Sequence, residues 1–351
     1  MHKVYGRGAA GIVFNRARRA YVSNVTISTP SNGILVRHSP QTVISNTTIY
    51  APPNTQNTSR AVSAVASPQT VVQNSNLWGG FHSLMAIDMR GIVVRNIHAE
   101  GATTGFHSVY AGRALVTNST FRDMFKAIMS ALESYTNAAV GNDVRNTVVG
   151  IDFAGSRSYV AQNTLVHNRM GLYIERRATL YTDNVIGYNY AGVTVGDAFP
   201  TNRVNGNDFV GNDRHAWVQN KNVLFVWGES GHGNYWAGMP GLDTDGDGYL
   251  ERDVVPTSPT GRLSYRTSGG DTISRAPAVA LLRSLQTAVP GLRSDGIIDR
   301  APLAAPNQPR VVSRLRENYS AAGPYQPAGD KDPYDYHAPY DIPHSENDTF
   351  G

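Results

Sequence analysis

The 351-residue sequence contains no cysteine. That excludes disulfides, thiolate nucleophiles and thiolate metal sites. It leaves the compartment open, because an exported protein can do without disulfides. Charge is also scarce: Asp, Glu, Lys and Arg make up 17% of the chain, low for a helical protein. The formal net charge is +4, with no basic run and no basic-aromatic stripe, which argues against nucleic acid as a partner. Lysine is scarcer than arginine, a matter of genome composition. No apolar run reaches the length of a membrane span. The opening stretch, MHKVYGRGAAGIVF, lacks the apolar core of a signal peptide.

What is present points to strands and turns. Hydrophobic residues make up 40%, glycine is plentiful at 34 residues, and β-branched residues abound. The segments NDVRNTVVGIDF (142–153), NTLVHNRMGLYI (163–174) and NVIGYNYAGVTV (184–195) share one frame. Each has an Asn, a Gly eight residues later, and apolar residues one and three past the Gly. The Asn can be followed as Asn24, Asn46, Asn74, Asn96, Asn118, Asn142, Asn163, Asn184 and Asn207, in steps of 22, 28, 22, 22, 24, 21, 21 and 23. A period near 22 without a leucine-rich pattern fits a right-handed parallel β-helix, an all-β solenoid with one coil per repeat. Coils stack at the ordinary strand spacing of about 4.8 Å. Ile34/Val36, Ile151/Phe153, Leu172/Ile174 and Val193/Val195 should then point inward. The asparagines should occupy a corner, where their amides bond from coil to coil and their backbones tolerate the left-handed region. The 28-residue step contains APPNTQNTSR (51–60), read as a loop bulging from one coil.

The repeat fades after Asn212. We expect a β-helix over 1–232, an Asp-rich loop and a capping or docking helix over 233–303, and a disordered tail over 304–351, which is rich in Pro, Asp and Tyr. The helix is expected in PAVALLRSLQTAVPGL (277–292), whose apolar residues fall at helical spacing behind Pro277. It would cover the open end of the solenoid, whose strand edges need a cap. Ile12 and Phe14 already read as inward residues, so the chain starts within a coil, and a truncated N-terminus is expected.

The order of features is specific. Asn-rich coils lead into GNYW (233–236), then DTDGDG (243–248), then the apolar helix, then DGIIDRAPL (295–303). Over roughly 60–303 this resembles the NosD family, periplasmic β-helix maturation proteins for nitrous oxide reductase. The resemblance implies an extracytoplasmic accessory protein and not an enzyme. It would work with ABC transporter subunits of the NosF and NosY kind in assembly of the reductase's copper–sulfide cluster, with a copper chaperone as a further candidate partner.

Three sets of residues stand out beside that implication. With no thiolate, Cu(I) would need thioether and imidazole ligands. Met85, His107 and Met129 lie 22 residues apart and each follows a small residue (Ser83, Gly105, Ala127) by two places, so they should form one outward column. The same column carries Leu35, Asp152, Tyr173 and Thr194, which reads equally as a permissive semi-exposed face; His82 and Met89 are near but out of column. GFHSVYA resembles the family's histidine-bearing coil, but Ser108 and Val109 stand where that coil carries an aromatic residue and a methionine. Asp243, Asp245, Asp247, the Tyr249 carbonyl and Glu251 match positions 1, 3, 5, 7 and 9 of a calcium loop, with Val254 where the bidentate acid belongs. Asp-Gly turns capped by their own side chains are the other reading. Partner docking is assigned to 233–303, with Tyr235, Trp236, Leu281, Leu282 and Leu285 as anchors.

Two other function classes compete. A carbohydrate-binding or carbohydrate-active β-helix, of the lyase or epimerase type, would gather acids on one outward face. Asp152, Glu175 and Asp197 fall in different columns. A passive adhesin or stalk would not need the C-terminal series.

Overall fold

The computed structural model describes residues 2–5, 10–51, 59–131, 133–219, 223–257 and 296–325. It is a parallel β-helix. Twenty-six strands join one continuous sheet system in which every strand pair is parallel, and each coil visits three faces in turn. The first face runs through Ala10–Asn15, Asn32–Arg37, Arg60–Val65, His82–Ile87 and Thr104–Val109, and on to Arg214–Val218. The second runs from Tyr21–Ser23 to Arg203–Asn205, and the third from His2–Tyr5 to Tyr235–Trp236. The period read from the sequence is therefore the register of the structure. Ile34 pairs with Val62, and Ile151 with Leu172 and then Val193. The inward pairs Ile34/Val36, Ile151/Phe153, Leu172/Ile174 and Val193/Val195 are all buried, each residue contributing roughly 1.5–3 kcal/mol of apolar burial. Ile12 and Phe14 pack more loosely against that core at the first rung of their face.

The asparagine series is two columns. Asn24, Asn46, Asn74, Asn96 and Asn118 have φ between 48° and 56°. They make the left-handed turn, and where the ladder continues, Gly141, Gln162, Asp183 and Gly206 take over that post. Asn142, Asn163, Asn184 and Asn207 sit one position later and are buried. Leu115–Thr117 aligns with Ala138–Val140, so Asn118 corresponds to Gly141 and Ser119 to Asn142. The 24-residue step between Asn118 and Asn142 is where the sequence count slips from one column to the other. Both physical reasons for Asn hold, but for different residues: turn conformation for the first set, amide bonding for the second.

In the buried column each side-chain amide donates to the next carbonyl oxygen. Asn142 bonds Asn163 at 2.9 Å, Asn163 bonds Asn184 at 2.9 Å, Asn184 bonds Asn207 at 2.8 Å and Asn207 bonds Asn234 at 2.8 Å. Each also reaches back to a carbonyl of the preceding coil, as Asn184 does to Val160. A second column, Asn168, Asn189 and Asn212, ends on His215. These columns satisfy corner groups that would otherwise be buried without partners.

The C-terminal end is closed by a short parallel pair, Phe225–Trp227 with Ile297–Asp299, and by a stack of Phe209, Trp236 and Trp227 with ring centroids 4.2 and 6.2 Å apart. The helix expected over 277–292 lies outside the described residues. The helix that is described is Pro309–Tyr319, inside the stretch expected to be a disordered tail; residues 326–351 are not described. It buries Val312 and Leu315 against Val166, Val185, Tyr188 and Val210 on the third face. Composition misled here because the helix gains its stability from that docking, not from its own sequence. Its N-terminus is capped from another coil: the Asp208 carboxylate accepts the Asn307 and Gln308 amides, each at 2.7 Å. No helix among the described residues is long and apolar enough to cross a membrane.

Candidate metal centre

Met85, His107 and Met129 form the expected column. Met85 pairs with His107, and His107 with Met129, on the first face, and all three are half-buried. Above and below stand Ser63 and Asp152, followed by Tyr173 and Thr194.

The structure adds His82, which simple alternation places out of column. Pairing on this face steps from His82–Thr104 to Leu84–Phe106, passing over Ser83 and Gly105. A side chain at position 105 would run into the Ala127 carbonyl and the Phe121 ring, so the small residue marks a local break in alternation. The break lets residues three apart reach the same side. The His82 and His107 rings lie 4.9 Å apart between centroids, with Phe81 edge-on to His82 at 4.5 Å. Two cations missed in the sequence join them. Arg60 pairs with His82 along the face, and its Nε donates to the Met85 sulfur at 3.1 Å. Lys126 follows His82 and Thr104 in the same column and bonds Asp152 at 2.7 Å.

Both imidazoles are held neutral. Burial, then the charges of His107 and Arg60, lowers His82 to about 3. Burial, then Lys126 and Arg60, lowers His107 to about 4. His82 Nδ1 and both ring nitrogens of His107 are buried and without hydrogen-bond partners. Each neutral ring carries one bare nitrogen able to take a metal. His107 between the Met85 and Met129 thioethers, with His82 on the strand of Met85, makes a soft donor set, suited to Cu(I) and poorly suited to hard cations. The residues present therefore fit copper. Further along the face, burial raises Asp152, and burial together with Asp152 raises Glu175.

The Asp243, Asp245 and Asp247 carboxylates come within 4.8 Å of one another. They are also engaged by their own loop: Asp243 accepts Gly246 and Gly248 amides, Asp245 accepts Asp247, and Asp247 accepts Tyr249. Glu251 is turned to Thr244, accepting both its amide and its hydroxyl. The Tyr249 hydroxyl bonds His232. The loop is tied to the DGIIDRAPL segment through Leu250 to Pro302, and to the residue just after that segment through Ala304 to Gly248.

Trp236, expected as a docking anchor, is 3% exposed and stacked between Phe209 and Trp227. It closes the core and is not available to a partner. Tyr235 is half-buried, and its hydroxyl accepts from Arg316 on the helix. Leu281, Leu282 and Leu285 lie outside the described residues.

Comparison with known proteins bears on this site. A family model described as "Periplasmic copper-binding protein (NosD)" matches residues 54–241, more than half of the chain. Among curated proteins, a "Probable ABC transporter binding protein NosD" of Pseudomonas aeruginosa is 28% identical over 163 residues, 45% of this chain and 37% of that protein. A protein of the same description from Stutzerimonas stutzeri is 32% identical over 117 residues, 33% of this chain and 26% of that protein. The matches thus span well under half the length of either relative. The range matched by the family model includes the coils that carry Arg60, His82, Met85, His107, Lys126 and Met129.

Proposed function

The chain belongs to the NosD family, and from that premise we propose that it is an extracytoplasmic accessory protein that takes up Cu(I) and passes it on for copper–sulfide cluster assembly in nitrous oxide reductase. Met85, His107, Met129 and His82 are its copper-binding residues. An ABC transporter of the NosF and NosY kind and a copper chaperone are its working partners. The observation that carries this reading is the pair of neutral imidazoles with buried, unpartnered nitrogens beside two methionines. Unsatisfied buried nitrogens cost stability; a cargo that binds them offsets the cost.

The test is made on the reductase. Deleting the gene in its own host should yield nitrous oxide reductase short of copper and acid-labile sulfide, and the wild-type gene should restore both. Complementation with His107→Ala or His82→Ala should leave the reductase depleted while the protein itself accumulates normally. A fully loaded reductase after deletion would reject the proposal, once a second gene copy has been checked for.

Residues 233–303 remain the proposed transporter-docking region, with Leu281, Leu282 and Leu285 as its apolar anchors and Tyr235 at its edge. Charge reversal in that region should abolish co-purification with the transporter, and retained co-purification would reject the assignment. We assign the Asp243–Asp245–Asp247 loop, with Tyr249 and Glu251, to structural calcium; a melting temperature unmoved by calcium or chelator would refute that. The carbohydrate-active alternative has one observation in its favour, the electrostatic contact of Asp152 with Glu175. Against it, Asp152 is buried and committed to Lys126.

A further inference from the structure

The corner between the first and second faces gathers charge that the sequence scatters. It consists of the short segments that leave a first-face strand and enter the next second-face strand: 15–21, 37–43, 65–71, 87–93, 109–115, 131–138, 154–159, 175–180 and 196–203. These nine segments hold ten arginines and no lysine, against four acids, Asp88, Glu133, Glu175 and Asp197. The excess is larger than the formal +4 of the whole chain. All ten arginines are exposed, from Arg16, Arg18 and Arg19 at one end to Arg176, Arg177 and Arg203 at the other. None of them forms an ion pair with another described residue. Five exposed aromatic side chains stand among them: Tyr21, Tyr110, Tyr135, Tyr159 and Phe199. Phe199 lies under the Arg177 guanidinium, at 5.9 Å. The repeat keeps these residues apart in sequence, but stacking at about 4.8 Å sets them along one edge roughly 38 Å long.

Turn chemistry does not account for this choice of residue. Arg16, Arg19, Arg113, Arg157 and Arg176 have φ between 55° and 60°, in the left-handed region where Gly or Asn is at ease and a long side chain is strained. The corner between the second and third faces fills the same kind of post with Asn24, Asn46, Asn74, Asn96 and Asn118. The arginines thus work slightly against folding and serve the surface.

We propose that this edge docks on the headgroups of an anionic lipid bilayer. Guanidinium groups pair with phosphate oxygens, and tyrosine rings settle at headgroup level with the hydroxyl in water. Shape selects lipid over other polyanions. Single-stranded nucleic acid and sugar chains are held in grooves. This edge is a convex corner made of turns, which meets a plane and does not enclose a chain. The inference goes beyond the function proposed above and is independent of the copper site. It lays the solenoid lengthwise on the membrane.

The experiment is co-sedimentation of the full chain with vesicles of phosphatidylcholine alone and of phosphatidylcholine with a third phosphatidylglycerol, at low and at raised salt. The wild-type protein should bind the anionic vesicles about tenfold or more tightly than the neutral ones, and be released by salt. Arg19→Asn, Arg113→Asn and Arg157→Asn combined keep the turns, because Asn suits left-handed posts. They should lower partitioning onto anionic vesicles about a hundredfold. A second triple variant, Arg95→Gln, Arg310→Gln and Arg314→Gln, removes the same charge from exposed positions off this edge and should lower it less than about threefold. Equal loss in the two variants would make net charge the cause and overturn the proposal. Equal binding to both vesicle types, or binding to neither, also overturns it. A fluorescent oligothymidylate, followed by anisotropy, is the last probe: tighter binding to it than to anionic vesicles, lost in the first variant, assigns the edge to nucleic acid and rejects lipid.

Discussion

The Asn234 side-chain amide donates to Asp299 Oδ2 at 2.9 Å, joining the last amide of the buried asparagine column to a carboxylate 65 residues further along the chain. The same oxygen accepts the Asn234 backbone amide at 2.8 Å and Trp236 Nε1 at 2.9 Å. The segments GNYW and DGIIDRAPL thus meet at one atom. Gly233 is needed there, since a side chain would collide with the Asp299 carboxylate and the Ala301 carbonyl. Every amide in the column donates in one direction, so the column needs an acceptor at its end, and Asp299 is that acceptor.

Replacing Asp299 should therefore open the C-terminal end. Asp299→Ala leaves three buried donors without an acceptor, and we expect a loss of roughly 3 kcal/mol or more. Urea unfolding followed by tryptophan fluorescence, to which Trp227 and Trp236 contribute two of the four tryptophans, measures it. A loss below about 1 kcal/mol would show that the column does not depend on its terminus.

The two asparagine columns should respond unequally to the same substitution. Asn118 is exposed with φ at 48°, so Asn118→Gly relieves left-handed strain and should stay within about 0.5 kcal/mol of wild type. Asn184 bonds Asn207, Val160 and Thr182 through its amide nitrogen. Asn184→Gly should cost about 2–4 kcal/mol, from lost hydrogen bonds and a broken column. Equal effects at both sites would mean that the ladder adds nothing beyond turn conformation.

His215 gives a pH dependence with a definite sign. Burial lowers its pKa to about 4, and it is held neutral between Asn212 and the Ala237 carbonyl. Its unfolded pKa is near 6.5. A depressed folded value means that unfolding takes up a proton, so this residue's contribution is complete above pH 6.5 and is lost as pH falls towards 4. Over that window it amounts to about 3 kcal/mol. Asp208, raised to about 6 by burial, acts in the opposite sense: its folded form binds the proton more readily, and stability falls as pH rises from about 4 to 6. The comparison is thus between variants. His215→Gln, which keeps a donor for Ala237, should flatten the loss between pH 6.5 and 4 relative to wild type, measured by urea midpoints at each pH. Parallel curves would refute the assignment.

The helix Pro309–Tyr319 should be separable from the solenoid. Leu315→Asp places a charge against Val166, Val185 and Val210, and should raise amide exchange across 309–319 by about a hundredfold or more, a loss of roughly 3 kcal/mol of local stability. Exchange in the strands Tyr159–Ala161 and Leu180–Thr182 should be unchanged. Coupled loss of protection in those strands would show that the helix is part of the core.

Much of this molecule was legible in the linear order of residues. Inward pairs such as Ile151 and Phe153, and the Met85–His107–Met129 column, follow from a fixed period, because parallel stacking turns equal spacing in sequence into adjacency in space. The period did not reveal His82, because the break at Ser83 and Gly105 interrupts the alternation on which the count depends. Nor did it separate the two asparagine columns, because the Asn moves by a single place, from the post of Asn118 and Gly141 to that of Ser119 and Asn142, and one residue is within the spread of the repeat length. The charge environment of the rings, set by Arg60 and Lys126, required side-chain positions, since two cations in a 17%-charged sequence carry no pattern. The helix at 309–319 and the closure at Asp299 depend on contacts between segments far apart in the chain. The sequence alone determined the repeating unit and its inward face, because those are local and periodic. The tertiary structure alone decided how the solenoid ends and which polar groups meet, because no periodicity links Asn234 to Asp299 or Asp208 to Gln308.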